Sequence, residues 1–210
     1  YITLRNWFTE VFFGLDWSGV GRFPTAVPAE RLPARRRQLM QGRRYEFECL
    51  YTIHIRASLS TARGLLAEFG ETARPYLNPR WVRIRRIGGE PLHTGCTIQY
   101  RILGGAMTFR VVQEESGDPN VLRYRVRGGF ADGGSFVFLL EPDSPAHSAL
   151  TIYLAFDYAR GVGPAQRLLW GAFRMLFPEF IHDVLWNHAL CEFKQAAEDA
   201  ETVVGDIPGQ

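Results

Sequence analysis

The sequence predicts an α+β fold, a curved seven-stranded antiparallel sheet gripping a long C-terminal helix, with an extra N-terminal helical segment. Three observations carry this prediction. From Tyr45 onward apolar and polar residues alternate at period two, the signature of half-buried strands. Glycine pairs and proline turns cut that stretch into short runs. From about Pro164 to Ala200 the spacing changes to that of an amphipathic helix.

Composition sets the limits. A chain of 210 residues suits one domain with a full core, or one domain with an appendage. Being 46% hydrophobic and 22% charged, it is globular rather than disordered or fibrous. The net charge of +2 gives no general case for nucleic acid or an acidic membrane as partner. Cys49, Cys96 and Cys191 are far apart with no CxxC, which excludes a disulfide framework and a sequence-local zinc ribbon. No apolar run approaches the roughly 18 residues a membrane span needs. The chain opens at Tyr1 rather than Met, which points to a trimmed or processed start, and the expected compartment is the cytoplasm. Lys194 is the only lysine among 24 basic residues, and its charged surroundings argue against a Schiff base.

Residues 1–43 form a separate segment. Trp7, Phe8, Val11, Phe12 and Leu15 have amphipathic-helix spacing, and a Pro-, Gly- and Arg-rich connector follows, with a short helix over 29–40. This segment reads either as an extra helix packed on the domain or, through residues 4–17, as a peripheral membrane or partner contact with Arg35 to Arg37 near lipid headgroups. The domain proper spans 44–200. In its first strand Tyr45, Phe47, Cys49, Tyr51, Ile53 and Ile55 share one face, opposite Glu46, Glu48, Thr52 and His54. Ser58 or Ser60 then caps a helix that YLNPRW ends. Six strands follow as a meander: Trp81 to Ile87, Cys96 to Leu103, Ala106 to Gln113, Val121 to Arg127, SFVFLLE, and Ala149 to Tyr158. The last helix is read as one element kinked at Pro178, with Phe173, Phe177, Phe180, Val184, His188 and Cys191 as a continuous stripe. Residues 201–210 read as a frayed tail.

One strand, a helical insert, six meandering strands and a long terminal helix resemble the START/SRPBCC superfamily, the helix-grip fold of START lipid carriers and aromatic polyketide cyclases. IHIRASLSTARGLLAEF, the W-NP-like YLNPRWVRIRRIGG, TGCTIQYRI, GGSFVFLLEPDSPAHSALTIYLAF and ALCEFKQAAE carry the resemblance, which covers about 44–199. It implies an internal cavity for a hydrophobic molecule and no single activity, because one fold hosts many functions.

Strand parity places Tyr45, Phe47, Tyr51, Ile53, Val82, Ile84, Ile98, Tyr100, Met107, Phe109, Leu122, Tyr124, Phe136, Phe138, Leu154 and Phe156 on the inner face. The terminal helix adds Phe173, Phe177, Phe180, Val184 and His188. These side chains either fill a solid core or line a cavity; the resemblance favours the cavity. The ligand-binding set is then Tyr51, Ile53, Tyr100, Phe109, Tyr124, Phe138, Phe156, Phe173, Phe177, Val184 and His188, with Tyr51, Tyr100, Tyr124 and His188 fixing polar groups. His188 is also the one candidate acid/base. Four residues on, Glu192 shares its face, so the HxxxE pair could hold a metal if His93 or Glu114–Glu115 supplied a third ligand; no metal or other cofactor is expected. His182 reads as solvated, His54 and His147 as exposed, and Arg83, Arg85, Arg123, Arg125 and Arg127 as an outer-face comb.

No GxSxG, GxGxxG or GxxxxGK[ST] occurs, and no paired carboxylates fall inside. The leading expectation is a protein that binds, and could transfer, a lipid, sterol-like compound or polyketide. The alternative is a cyclase/aromatase-type or related hydrolytic enzyme using His188 and cavity tyrosines, and a third reading is an interaction module.

Overall fold

A computed structural model describes residues 7, 11, 20–23, 39, 45–71, 82–105, 107–158, 163–176 and 180–205. Within these, the elements are β1 (Val20–Phe23), β2 (Phe47–Ile55), α1 (Leu59–Ala67), β3 (Val82–Gly88), β4 (Thr97–Ile102), β5 (Met107–Glu114), β6 (Val121–Arg127), β7 (Ser135–Ser144), β8 (His147–Phe156), α2 (Pro164–Leu176) and α3 (Phe180–Gly205). The strands make one antiparallel sheet in the order β1-β2-β8-β7-β6-β5-β4-β3. Its concave face carries the main core, beneath α1 and α3.

The α+β architecture and the meander are those expected, with an eighth strand in addition. β1 comes from the segment read as a connector, and its four residues pair antiparallel with Leu50 to Ile53. Such a short edge strand, with a glycine inside, has no periodicity to announce it; the exposed edge of β2 is what orders it.

Two boundaries differ from expectation. β7 and β8 run on to Ser144 and His147, so most of PDSPAHS is strand, bent by a register shift between Pro142 and Ser144. The terminal helix is described as α2, to Leu176, and α3, from Phe180; Pro178, where the kink is expected, lies outside the described residues. At the far end α3 continues to Gly205, so 201–205 are helical where fraying was expected. The YLNPRW segment lies outside the described residues. So does most of 1–43, of which Trp7 and Val11 are helical and exposed, and Leu39 is buried.

Ser58 caps α1, its Oγ accepting from the Thr61 amide at 3.3 Å. The helix buries Ala62, Leu65 and Leu66, and Phe69 follows them into the core. Where the chain leaves α1, Gly70 O accepts from Arg86 N at 2.7 Å, which docks this end on β3.

The other sheet face is less solvated than alternation suggests. Leu39, Leu50, Val137, Leu139, Tyr153 and Ala155 form a second cluster there, with Tyr45 packed against it rather than on the inner face. Glu48 and Thr52 are buried on the same side, and the Thr52 and Thr151 hydroxyls meet at 3.0 Å across β2 and β8.

Candidate functional site: an apolar hollow under the terminal helix

The concave face is not filled evenly. Between its β3–β5 side and the start of α3 lies a hollow of about 100 Å³, floored by Val82, Tyr100, Phe109, Val111 and Val126. Phe130 and Ala131 close one side, Phe156 another, and His182, Leu185 and Trp186 roof it from α3. Further along, a pinhole of about 20 Å³ lies among Phe69, Phe138, Leu150, Trp186 and Leu190.

Local backbone chemistry brings these side chains together. Gly128 and Gly129 adopt φ of 76° and 72°, a region glycine enters without strain, and so turn the chain into the short 3₁₀ segment that presents Phe130 and Ala131. At Gly134 a Cβ would come within 2.8 Å of Phe156 Cβ and Ala131 O, so only glycine lets β7 approach this closely. Tyr100 and Phe109 are register partners on β4 and β5 and stack at 4.8 Å, 8° from parallel. Phe130 meets Phe109 and Phe156 edge-on at 5.8 and 5.6 Å.

The tyrosines expected to fix a ligand differ in what they already hold. Tyr51 is fully buried, and its hydroxyl donates to Asp183 Oδ1 at 2.8 Å. Asp183 is itself fully buried in the first turn of α3, where the positive end of the helix dipole favours a carboxylate. This pair pins α3 to β2. Tyr124 lies in the core beside Phe69 and Phe136, and burial raises its phenol pKa, with Cys96 adding to the rise. Tyr100 lines the hollow; its hydroxyl is inaccessible and has no hydrogen-bond partner among the described residues. Burial pushes its pKa well above the usual phenol value, with Tyr124 adding to the rise, so it is a neutral donor.

The other expected residues separate. Phe109 and Phe156 line the hollow; Phe138 lines the pinhole and Ile53 belongs to the solid core. Val184 and His188 are half-buried on α3 and line neither space. The side chain of Phe173 and the whole of Phe177 lie outside the described residues. Among the described residues no three of His, Cys, Asp and Glu come together as a metal-binding set, so the His188–Glu192 pair gains no third ligand there.

His182, read as solvated, is the histidine at the hollow. Its ring lies 4.9 Å from Phe47 and 5.8 Å from Phe156. The buried positions of α3 include Asp183, Trp186, Leu190, Phe193 and Ala197, with Asn187 and Ala189 beside them, a stripe turned about the axis from Val184, His188 and Cys191. The expected stripe was carried through Pro178 as one helix. Starting instead from Phe193 and stepping back through Leu190 and Trp186 reaches 182–183.

The remaining histidines, His54, His93 and His147, lie at the surface: His54 Nδ1 meets Asp143 Oδ2 at 2.7 Å, and His147 Nδ1 meets Ser144 Oγ at 3.0 Å. In the arginine comb Arg83, Arg85 and Arg127 are exposed, whereas Arg123 and Arg125 are half-buried. They line an outer-face trough of about 680 Å³ with Tyr45 and Tyr153, and Arg125 pairs with Glu114 at 3.0 Å. The trough is larger than the hollow, and its lining is mainly polar.

No family model and no curated protein matches the chain. Solved structures do. TTHA0849 from Thermus thermophilus is 17% identical over 73% of this chain and 98% of that chain, with a TM-score of 0.51. A protein described as a START superfamily member from Mycobacterium smegmatis is 16% identical over 75% and 98%, with a TM-score of 0.45. Protein Ms6760 from Mycobacterium smegmatis is 11% identical over 75% and 92%, with a TM-score of 0.47. The likeness is one of fold: an antiparallel sheet curved against a long C-terminal helix. No described helix is long and apolar enough to cross a membrane.

Proposed function

We propose that the chain binds a compact hydrophobic molecule in the hollow between β3–β6 and α3. The observation that carries this reading is an apolar, aromatic-walled space of about 100 Å³ in an otherwise packed core. Binding draws its free energy from taking apolar ligand surface out of water. A single water needs roughly 10–15 Å³ on this measure, so the space suits roughly ten non-hydrogen atoms. A ring or two matches that better than a long acyl chain. The enzymatic alternative called on His188 together with cavity tyrosines; Tyr100 lines the hollow, but His188 and carboxylates do not.

Indane, a bicyclic hydrocarbon of this size, tests the reading. Titrated into the ¹⁵N-labelled protein, it should shift backbone amides of Val126, Phe130 and Trp186, which line the hollow, and leave those of Ile53 and Ala197 in place. In Ala131→Phe, whose new ring would occupy the space, the shifts should vanish. Uniform small shifts, or shifts that survive the filling substitution, would refute a hydrophobic site here.

A further inference from the structure

The outer face of the sheet carries its charge unevenly. Strands β3–β6 hold a single acidic residue, Glu114, among their arginines, and it pairs with Arg125 at 3.0 Å. Arg83, Arg85, Arg101, Arg110 and Arg127 are exposed. Register joins these five into one patch. Arg83 lies opposite Arg101, Gln99 opposite both Arg85 and Arg110, and Arg110 opposite Arg127. Among the described residues none of the five has an acidic partner, and Arg101 Nε donates only to the neutral Gln99 Oε1 at 3.3 Å. The net charge of +2 conceals this patch, because acids gather across the sheet: α3 carries Glu192, Glu198, Asp199 and Glu201 against Lys194. Two ordinary explanations fall short. Charge on an edge strand repels a further strand, which accounts for Arg83 and Arg85 on β3 but not for the arginines of the inner strands β4–β6. A solvated face normally intersperses both signs, and like charges directly opposite one another destabilise the pair.

We infer that this arginine face docks on an anionic lipid bilayer, with phospholipid headgroups as the counter-charge. It does not draw on the hollow and stands or falls separately from it. Guanidinium groups match phosphate oxygens in geometry as well as in charge. At strand spacing the patch is about 15 Å by 7 Å, far below the roughly 800 Å² that each partner contributes to a stable protein interface. Gln99 and Thr108 fill the gaps among the arginines, so no apolar side chain stands there to anchor a protein partner. A single-stranded nucleic acid wants aromatic rings to stack on, and the outer positions of β3–β6 supply none. A duplex holds its phosphates at fixed spacing, whereas lipid headgroups diffuse in two dimensions and can gather under a two-dimensional array. Docking this way sets the floor of the hollow against the membrane: Val82, Tyr100, Phe109 and Val126 line it one residue from Arg83, Arg101, Arg110 and Arg127. The acidic α3 then faces water.

Vesicle sedimentation of the full chain tests this, with phosphatidylcholine alone and with phosphatidylcholine plus phosphatidylglycerol, at about 0.1 M salt. The protein should sediment with the anionic vesicles and not with the neutral ones. One arginine at an anionic surface is worth roughly a fivefold gain in partitioning, so Arg101→Gln with Arg110→Gln should weaken it about thirtyfold. Arg101→Lys with Arg110→Lys keeps the charge and should keep the binding. Arg56→Gln with Arg167→Gln removes the same charge from exposed sites off this face, and should weaken binding no more than about twofold. No preference for phosphatidylglycerol would overturn the inference. So would equal losses in the two glutamine pairs, which would reduce the effect to net charge. A loss in the lysine pair as large as in Arg101→Gln with Arg110→Gln would show a structural cause and overturn it too. Tighter binding to a duplex oligonucleotide, per accessible phosphate at the same salt, would assign the face to nucleic acid instead. The indane titration reports on the hollow alone, so either reading can fail without the other.

Discussion

Toward the end of β2, Ile53 and Ile55 join Leu140, Leu150 and Ala197 in a core with almost no free space. Outside it, Arg56, Lys194 and Glu198 tie α3 to the sheet. Under the start of α3, Tyr100, Phe109, Phe130 and Phe156 are as apolar and as aromatic, yet they stand around about 100 Å³ of free space. At about 24 cal/mol per Å³, the second arrangement forgoes on the order of 2 kcal/mol of packing. Composition does not separate the two regions. Backbone geometry does: β2 and β8 are paired along their whole length, whereas β6 ends at Arg127, opposite Arg110, and the Gly128–Gly134 turn into β7 sets Phe130 and Ala131 beside the start of β5 as a wall rather than a plug. One half of the grip holds the helix, and the other half leaves room beneath it.

The largest expected effect tests that difference in packing. Ile53→Ala should cost about 3–4 kcal/mol in denaturant unfolding, because a fully buried side chain in a closed region leaves a cavity that cannot collapse. Val126→Ile, which adds one methylene at the hollow, should be neutral or stabilise by up to about 1 kcal/mol. A cost of about 1 kcal/mol or more for Val126→Ile, as overpacking usually brings, would mean that the two regions are equally tight.

Two tyrosine substitutions come next in size. Tyr51→Phe removes a donor from a buried carboxylate and should cost about 2 kcal/mol. Tyr100→Phe removes a hydroxyl that bonds nothing and should leave stability unchanged or raise it by up to about 1 kcal/mol. Equal losses in thermal melts of the two variants would show that Tyr100 has a structural partner, and would erase the contrast between the pinned and the open region. High pH bears on the same residue. Because burial raises the Tyr100 pKa above its unfolded value, stability is full below the unfolded value near 10 and is lost as pH rises beyond it, so Tyr100→Phe should withstand alkaline unfolding better than the wild type.

How far the sequence shows this depends on what fixes each part. Strand parity from Phe47 to Phe156 follows directly from alternation, because a one-residue slip would turn Tyr51, Tyr100 and Phe109 outward together. The Ser58 cap and the glycine turns are equally local, and the sequence shows them. β1 is not legible: its pairing is dictated by the free edge of β2, a tertiary fact. Nor is the choice between His182 and His188. That depends on the rotation of α3 about its axis, set by where Tyr51–Asp183 and Trp186 lock it. Free space is the least legible feature, since the aromatic residues that surround the hollow are of the same kinds as those that fill the solid core.

The smallest expected effect concerns the clasp outside the solid region. Glu198 accepts from Arg56 N at 2.9 Å and from Lys194 Nζ at 2.7 Å, and Lys194 Nζ also reaches His54 O at 2.7 Å, so one carboxylate fastens α3 to the end of β2. Burial alone would raise its pKa. The Lys194 and Arg56 hydrogen bonds outweigh that and bring it down to about 2 from the ordinary 4.5. The clasp therefore contributes fully above about pH 4.5 and is lost as pH falls toward 2. Because Arg56 is mostly in solvent, screening keeps the Glu198 contribution to about 1 kcal/mol. Glu198→Gln should lower stability by that amount at pH 7 and flatten the acid limb of the stability profile between pH 4.5 and 2. It should leave indane binding unchanged, because the clasp holds the packed half of α3 and the hollow lies under the other half. A change in indane affinity in this variant would mean that the two halves move together, with the closed region governing access to the open one.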